Sequence, residues 1–132
     1  MQIFLDFDGT VVEHYYPLIG AYNTGAKEVI ARLQLAGHEV ILNSYRVEIE
    51  DDSIKEALVY LYTLDLPLTI TQKTKTKIHP SPWNIEEAMV TGKLFIDDIA
   101  EGTPLVDATN TGGKMVDWKK IEYELENFKI IY

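Results

Sequence analysis

The chain has 132 residues, 46% hydrophobic and 25% charged, which suits one domain with a sizeable core and leaves no room for two. Twelve basic residues against 21 acidic ones give a net charge of −9, which argues against long nucleic acid as a partner. With no cysteine, disulfide and thiol chemistry are excluded, and no apolar run approaches membrane-spanning length. The first apolar run is short and is followed at once by aspartates, unlike a signal peptide, so a cytoplasmic protein is expected (in the host cytoplasm if the gene is viral).

In chain order, Ile3-Phe4-Leu5 predicts a buried strand that delivers Asp6 and Asp8 into a turn at Gly9. Residues 11–23 lack periodicity and contain Pro17 and Gly20, so they read as a loop. Asn23 or Thr24 then caps a helix with Val29, Ile30, Leu33 and Ala36 on one face, stopped at Gly37. Glu39–Leu42 reads as a second strand, ending at Asn43-Ser44-Tyr45-Arg46. A second helix starts near Asp52-Ser53, where Ser53 and Glu56 suit a capping box, and its apolar stripe is Ile54, Ala57, Leu58, Leu61 and Leu64. Leu66–Ile70 reads as a short third strand.

Ser81-Pro82 opens a third helix that Gly92 ends. Lys93–Ile96 is the next strand and terminates in a second acidic pair, Asp97-Asp98. A Leu105-Val106 segment, a Gly112-Gly113 turn and a last helix follow, the helix capped by Asp117 with Trp118, Ile121, Leu125 and Phe128 spaced for burial. Strands alternating with helices indicate an α/β domain with a mostly parallel sheet covered on both faces. Ligands in such sheets bind beyond the carboxyl ends of the strands, where Asp6, Ser44 and Asp97-Asp98 all fall.

A buried strand ending in paired carboxylates is costly unless a cation or hydrogen-bond donors compensate them. An EF-hand is excluded, because Gly9 comes only three residues after Asp6. A hard divalent ion such as Mg2+, which prefers oxygen ligands, is the natural compensator.

Asp6-Phe7-Asp8-Gly9-Thr10 resembles the first motif of the haloacid dehalogenase (HAD) superfamily. Val12-Glu13-His14, Tyr16-Pro17, Ile19-Gly20, Ser44-Tyr45-Arg46 and Phe95-Ile96-Asp97-Asp98, with Gly102 and Pro104, are similar to small capless HAD hydrolases of bacteria and phages. The likeness covers most of residues 1–106. It implies a three-layer Rossmann-like fold without a large cap domain, the site lidded at most by Tyr15-Tyr16-Pro17. By the same resemblance Asp6 is the nucleophile and Asp8 the general acid and base. Ser44 then hydrogen-bonds a phosphoryl oxygen. Mg2+ is held by Asp6, Asp8 through its backbone carbonyl, and Asp98 as the better ligand of its pair, with Asp97 either supporting from behind or a ligand through water.

The superfamily's balancing lysine is not singled out by its usual position. Lys77 is favoured because Lys77-Ile78-His79-Pro80 leads into the third helix, and Lys73 and Lys75 are the alternatives. Arg46 is either a bidentate substrate contact or an ion-pair partner, and His14 is a candidate substrate contact at the entrance. The function expected is a Mg2+-dependent phosphomonoester hydrolase acting through an aspartyl phosphate. A nucleotide or polynucleotide-end phosphatase and a catalytically weak binding or accessory protein are the alternatives. The partner expected is a phosphorylated substrate, the open site suiting either a phosphate on a large molecule or a small substrate enclosed by a second copy of the chain; no membrane is expected.

Overall fold

The computed structural model describes residues 1–66 and 75–132. Among the described residues, its centre is a three-stranded parallel sheet made of β1 (Gln2–Leu5), β2 (Glu39–Leu42) and β3 (Lys93–Ile96), in the order β2-β1-β3. The three apolar strands pair with Ile3 level with Val40 and Leu94, and Leu5 level with Leu42 and Ile96. Those six side chains enter the main core. Phe4, Ile41 and Phe95 point the other way and form a second buried cluster, the rings of Phe4 and Phe95 stacked at 4.8 Å. Both faces of the sheet are therefore covered, as a parallel sheet requires.

Four helices complete the main core: α1 (Ala26–Leu35), α2 (Ser53–Thr63), α3 (Ile85–Thr91) and α4 (Trp118–Asn127). A small antiparallel pair, β4 (Leu105–Asp107) and β5 (Lys114–Val116), sits apart from the main sheet; β5 was not expected from the sequence. Among the described residues no helix is long and apolar enough to cross a membrane.

Several helix boundaries differ from the sequence reading. Helix α1 begins after Gly25, whose φ of 98° is a left-handed conformation that favours glycine. Asn23 does not cap it; its amide instead donates to the carbonyls of Thr10 and Val116. Ser53 is the first residue of α2 rather than its cap, and its backbone N–H donates to the Asp51 carboxylate. Helix α3 starts three residues beyond Ser81-Pro82, capped by the Asn84 side chain accepting from the Glu87 N–H. Leu58 and Phe128, expected in the core, are each 37% exposed. Gly92 and Asp117 act as expected, the first as a left-handed C-cap and the second by accepting from the Lys120 N–H. The third strand expected at Leu66–Ile70 lies, beyond buried Leu66, outside the described residues.

The chain passes from β1 to one neighbour, β2, and later returns to pair β3 on the other side. That reversal leaves a crevice beyond the carboxyl ends of β1 and β3. It is there that the two acidic motifs emerge.

Candidate active site

Asp6 follows β1 directly, and its backbone N–H donates to the Ile96 carbonyl at 3.0 Å, so the two acidic strand ends are stitched together. Asp6, Asp97 and Asp98 each offer a carboxylate oxygen, all within 4.8 Å of one another. Asp6 and Asp97 are buried and Asp98 half-buried. Gly9 allows this crowding: a Cβ on it would lie 2.3 Å from Asp98 Oδ2, and its φ of 80° is left-handed. No other residue fits there without displacing the carboxylate.

Lys77 reaches into this cluster with its side chain only 2% exposed, its Nζ 2.8 Å from Asp97 Oδ2 and 3.3 Å from Asp6 Oδ1. The same ammonium lies 4.4 Å from the centre of the Tyr45 ring. Its backbone is placed from β2: the Asn43 amide pairs with Ile78 in both directions, at 2.9 Å each, and the Lys77 N–H donates to Glu48. Lys75 is exposed, and Lys73 lies outside the described residues.

The electrostatics follow from the packing. Burial, then the charge of Asp97, raises the Asp6 carboxyl well above its usual range; Lys77 opposes the rise and Asp98 adds to it. Burial also raises Asp98, opposed by its hydrogen bond with Asp6 and reinforced by Asp97. For Lys77, burial favours the neutral amine, but Asp6 and Asp97 outweigh it and hold the ammonium. One lysine among three carboxylates leaves excess negative charge, and every donor present is a hard oxygen. The residues therefore fit a divalent cation, with Asp6, Asp97 and Asp98 able to hold it.

Asp8 stands two residues further on in a different setting. Arg46 grips it with two parallel bonds, Nε to Oδ2 at 2.7 Å and Nη2 to Oδ1 at 2.8 Å. The remaining guanidinium contacts are to the carbonyls of Ser53, Leu18 and Pro17, with the rings of Phe7 and Tyr16 about 5 Å away. Arg46 is 1% exposed. All three guanidinium nitrogens are engaged within the protein, so in this conformation Arg46 orients Asp8 rather than reaching a substrate.

These groups surround an open cleft of about 250 Å³. Asp6, Asp8, Ser44, Lys77 and Asp98 line it, and exposed His14 stands at its edge. Asp97 is absent from the lining and faces Lys77. Ser44, 1% exposed, accepts from the Arg46 N–H at 3.1 Å and starts the short 3-10 turn Tyr45–Glu48. The site residues named from the sequence are thus brought to one rim, Arg46 behind it and His14 outermost.

Sequence reasoning passed over three supporting residues. Thr10 Oγ1 donates to Asp6 Oδ2 at 3.1 Å, and the Thr10 carbonyl is held by Asn23 and by the Trp118 indole. Asn43 places the Lys77 backbone, and Tyr45 packs on the ammonium. Thr10 had a signal in the chain, since it closes the first acidic motif. Asn43 and Tyr45 had none beyond lying at a strand end.

The fold and site thus define a mixed α/β protein with a buried acidic cluster at the carboxyl end of a parallel sheet. A solved structure of a conserved protein from Bacteroides thetaiotaomicron is 31% identical, with a TM-score of 0.59, over 98% of this chain and 91% of that one. The chain belongs to the same family as that conserved protein. No family model and no curated protein matches it. The likeness brings a shared fold and no activity.

Proposed function

We propose that this protein is a Mg2+-dependent phosphomonoester hydrolase of the HAD type, working through an aspartyl phosphate on Asp6. The observation that carries the reading is the position of Asp6. Its carboxylate ends β1, lies beside Asp97, Asp98 and Lys77, and opens into a cleft shared with Asp8 and Ser44.

In this reading an Asp6 oxygen forms a bond to phosphorus as the ester oxygen departs, and water later cleaves the acyl phosphate. Lys77 favours the ionised form of Asp6 against the effect of burial and balances charge on the transferring group. Ser44 faces the position of a phosphoryl oxygen from the end of β2. Bound Mg2+ supplies charge neutralisation of the phosphoryl oxygens. Asp8 exchanges protons with the leaving group and water through the lone pairs that the Arg46 fork leaves free on its oxygens, the fork fixing its direction.

The test is hydrolysis of p-nitrophenyl phosphate with Mg2+, with EDTA, and with the Asp6→Asn variant. Metal-dependent turnover that disappears in the variant is expected. Turnover that survives Asp6→Asn would remove the nucleophile assignment, and none under any condition would remove the phosphatase reading.

A further inference from the structure

We infer that the substrate of this site is a small aryl phosphate monoester, its ring lying against Tyr45, Ile49 and Ile99 at the mouth of the cleft. The inference rests on the phosphatase reading of Asp6 and names the substrate class it serves.

The walls of the cleft change character from floor to mouth. The floor carries Asp6, Lys77 and Asp98, whereas Tyr45, Ile49 and Ile99 stand at the opening, 52%, 39% and 53% exposed. Large apolar side chains held open to solvent around a polar floor recognise a ligand with one charged end and one apolar end.

Charge narrows the class. The fixed cations lining the cleft are Arg46 and Lys77, and both are paired with carboxylates. Among the described residues, no lysine or arginine lining the cleft is left for a second phosphate or a substrate carboxylate. The substrate accordingly carries one phosphate and no further anion.

Size narrows it again. The cleft, about 250 Å³ and open at its mouth, is below the roughly 300–1,000 Å³ of ordinary small-molecule pockets and encloses a phosphate and one ring.

The departure of the leaving group points the same way. As Asp6 bonds to phosphorus, the ester P–O bond breaks and its electron pair leaves on oxygen. The Arg46 fork takes one lone pair of each Asp8 oxygen and ties the carboxylate in place, so a leaving group that departs without prior protonation has the advantage. A phenol, with a pKa near that of tyrosine at about 10, leaves as phenolate far more readily than an alkanol. Water then attacks the phosphorus of the acyl phosphate. Asp6 and inorganic phosphate are released, and the proton of that water passes to the phenolate.

The experiment is calorimetric titration of the Mg2+-supplemented protein with phenylphosphonate and methylphosphonate, whose carbon–phosphorus bonds resist this hydrolysis. Phenylphosphonate is expected to bind about tenfold tighter, as burial of one ring face implies. Ile49→Ser and Ile99→Ser should each lower that ratio about threefold. Equal affinities, or a ratio indifferent to both substitutions, would overturn the aryl assignment. Phenyl phosphate turnover in the same preparations reports separately on the phosphatase reading: turnover without phenyl preference sinks the inference alone. Phenyl preference without turnover sinks the phosphatase reading and leaves the ring site standing.

Discussion

Asp6 and Asp8 are two residues apart in one turn, yet they occupy opposite kinds of environment. Asp6 sits in a buried group of three carboxylates sharing one lysine, and its ionised form is disfavoured by burial and by Asp97. Asp8 has a guanidinium to itself, engaged through both oxygens. The segment between them, Phe7, is fully buried, so the two side chains leave a rigid turn in fixed directions. Electrostatic excess is thus stored on one wall of the cleft and relieved on the other. A cation or a phosphoryl group has something to gain only at the first.

The sharpest way to break this comparison is Asp6→Asn, which keeps the shape of the side chain and removes its nucleophilicity. Turnover of p-nitrophenyl phosphate should fall by at least about 10³-fold, with circular dichroism unchanged. A variant retaining a tenth of the activity would place the chemistry elsewhere.

Next in size is Lys77→Met. Removing the ammonium leaves Asp6 and Asp97 uncompensated in a site where all three side chains are under 10% exposed. A loss of about 3–5 kcal/mol is expected from urea unfolding at neutral pH in EDTA. Saturating Mg2+ should return part of it, because the cation replaces the missing charge. An unchanged midpoint would mean that the lysine does not stabilise the acidic cluster.

Arg46→Lys probes the other wall. A charge remains but the fork is lost, and about 1.5–3 kcal/mol of stability should go with it. Turnover of an alkyl phosphate should drop more than that of an aryl phosphate, since only the former depends heavily on the proton Asp8 delivers. Equal losses on both substrates would show that orientation of Asp8 does not govern protonation of the leaving group.

The smallest effect extends the comparison to a carboxylate outside the site. Hydrogen bonds from the Asn110 side chain and backbone, with a further one from the Thr111 backbone, hold Glu13 below its usual value of 4.5. A depressed folded-state value means that its contribution is present above about pH 4.5 and is lost as pH falls through the folded value. The gap in melting temperature between wild type and Glu13→Gln should therefore be level from pH 8 to about 5 and close below about 4.5. A gap that widens on acidification would reverse the sign assigned here.

The chain by itself determined its local elements. Unbroken apolar runs at Ile3–Leu5, Val40–Leu42 and Leu94–Ile96 marked three strands of a parallel sheet, because strands buried on both faces are apolar at every position. Short-range chemistry marked Gly92 and Asp117 as helix ends and put Asp6 and Asp97-Asp98 at the carboxyl ends of strands. What tertiary structure decided is the wiring between segments distant in sequence. Its lead into the third helix favoured Lys77 over Lys73 and Lys75, but Lys77 enters the acidic cluster through the Asn43–Ile78 pairing, 35 residues apart, which nothing local encodes. Arg46 turns inward to Asp8, 38 residues earlier, because the carbonyls of Leu18 and Ser53 and the Phe7 ring wall it from solvent. Local pattern follows from backbone geometry and solvent exclusion, which act within a few residues; the pairing of buried charges depends on which segments the packed sheet brings together.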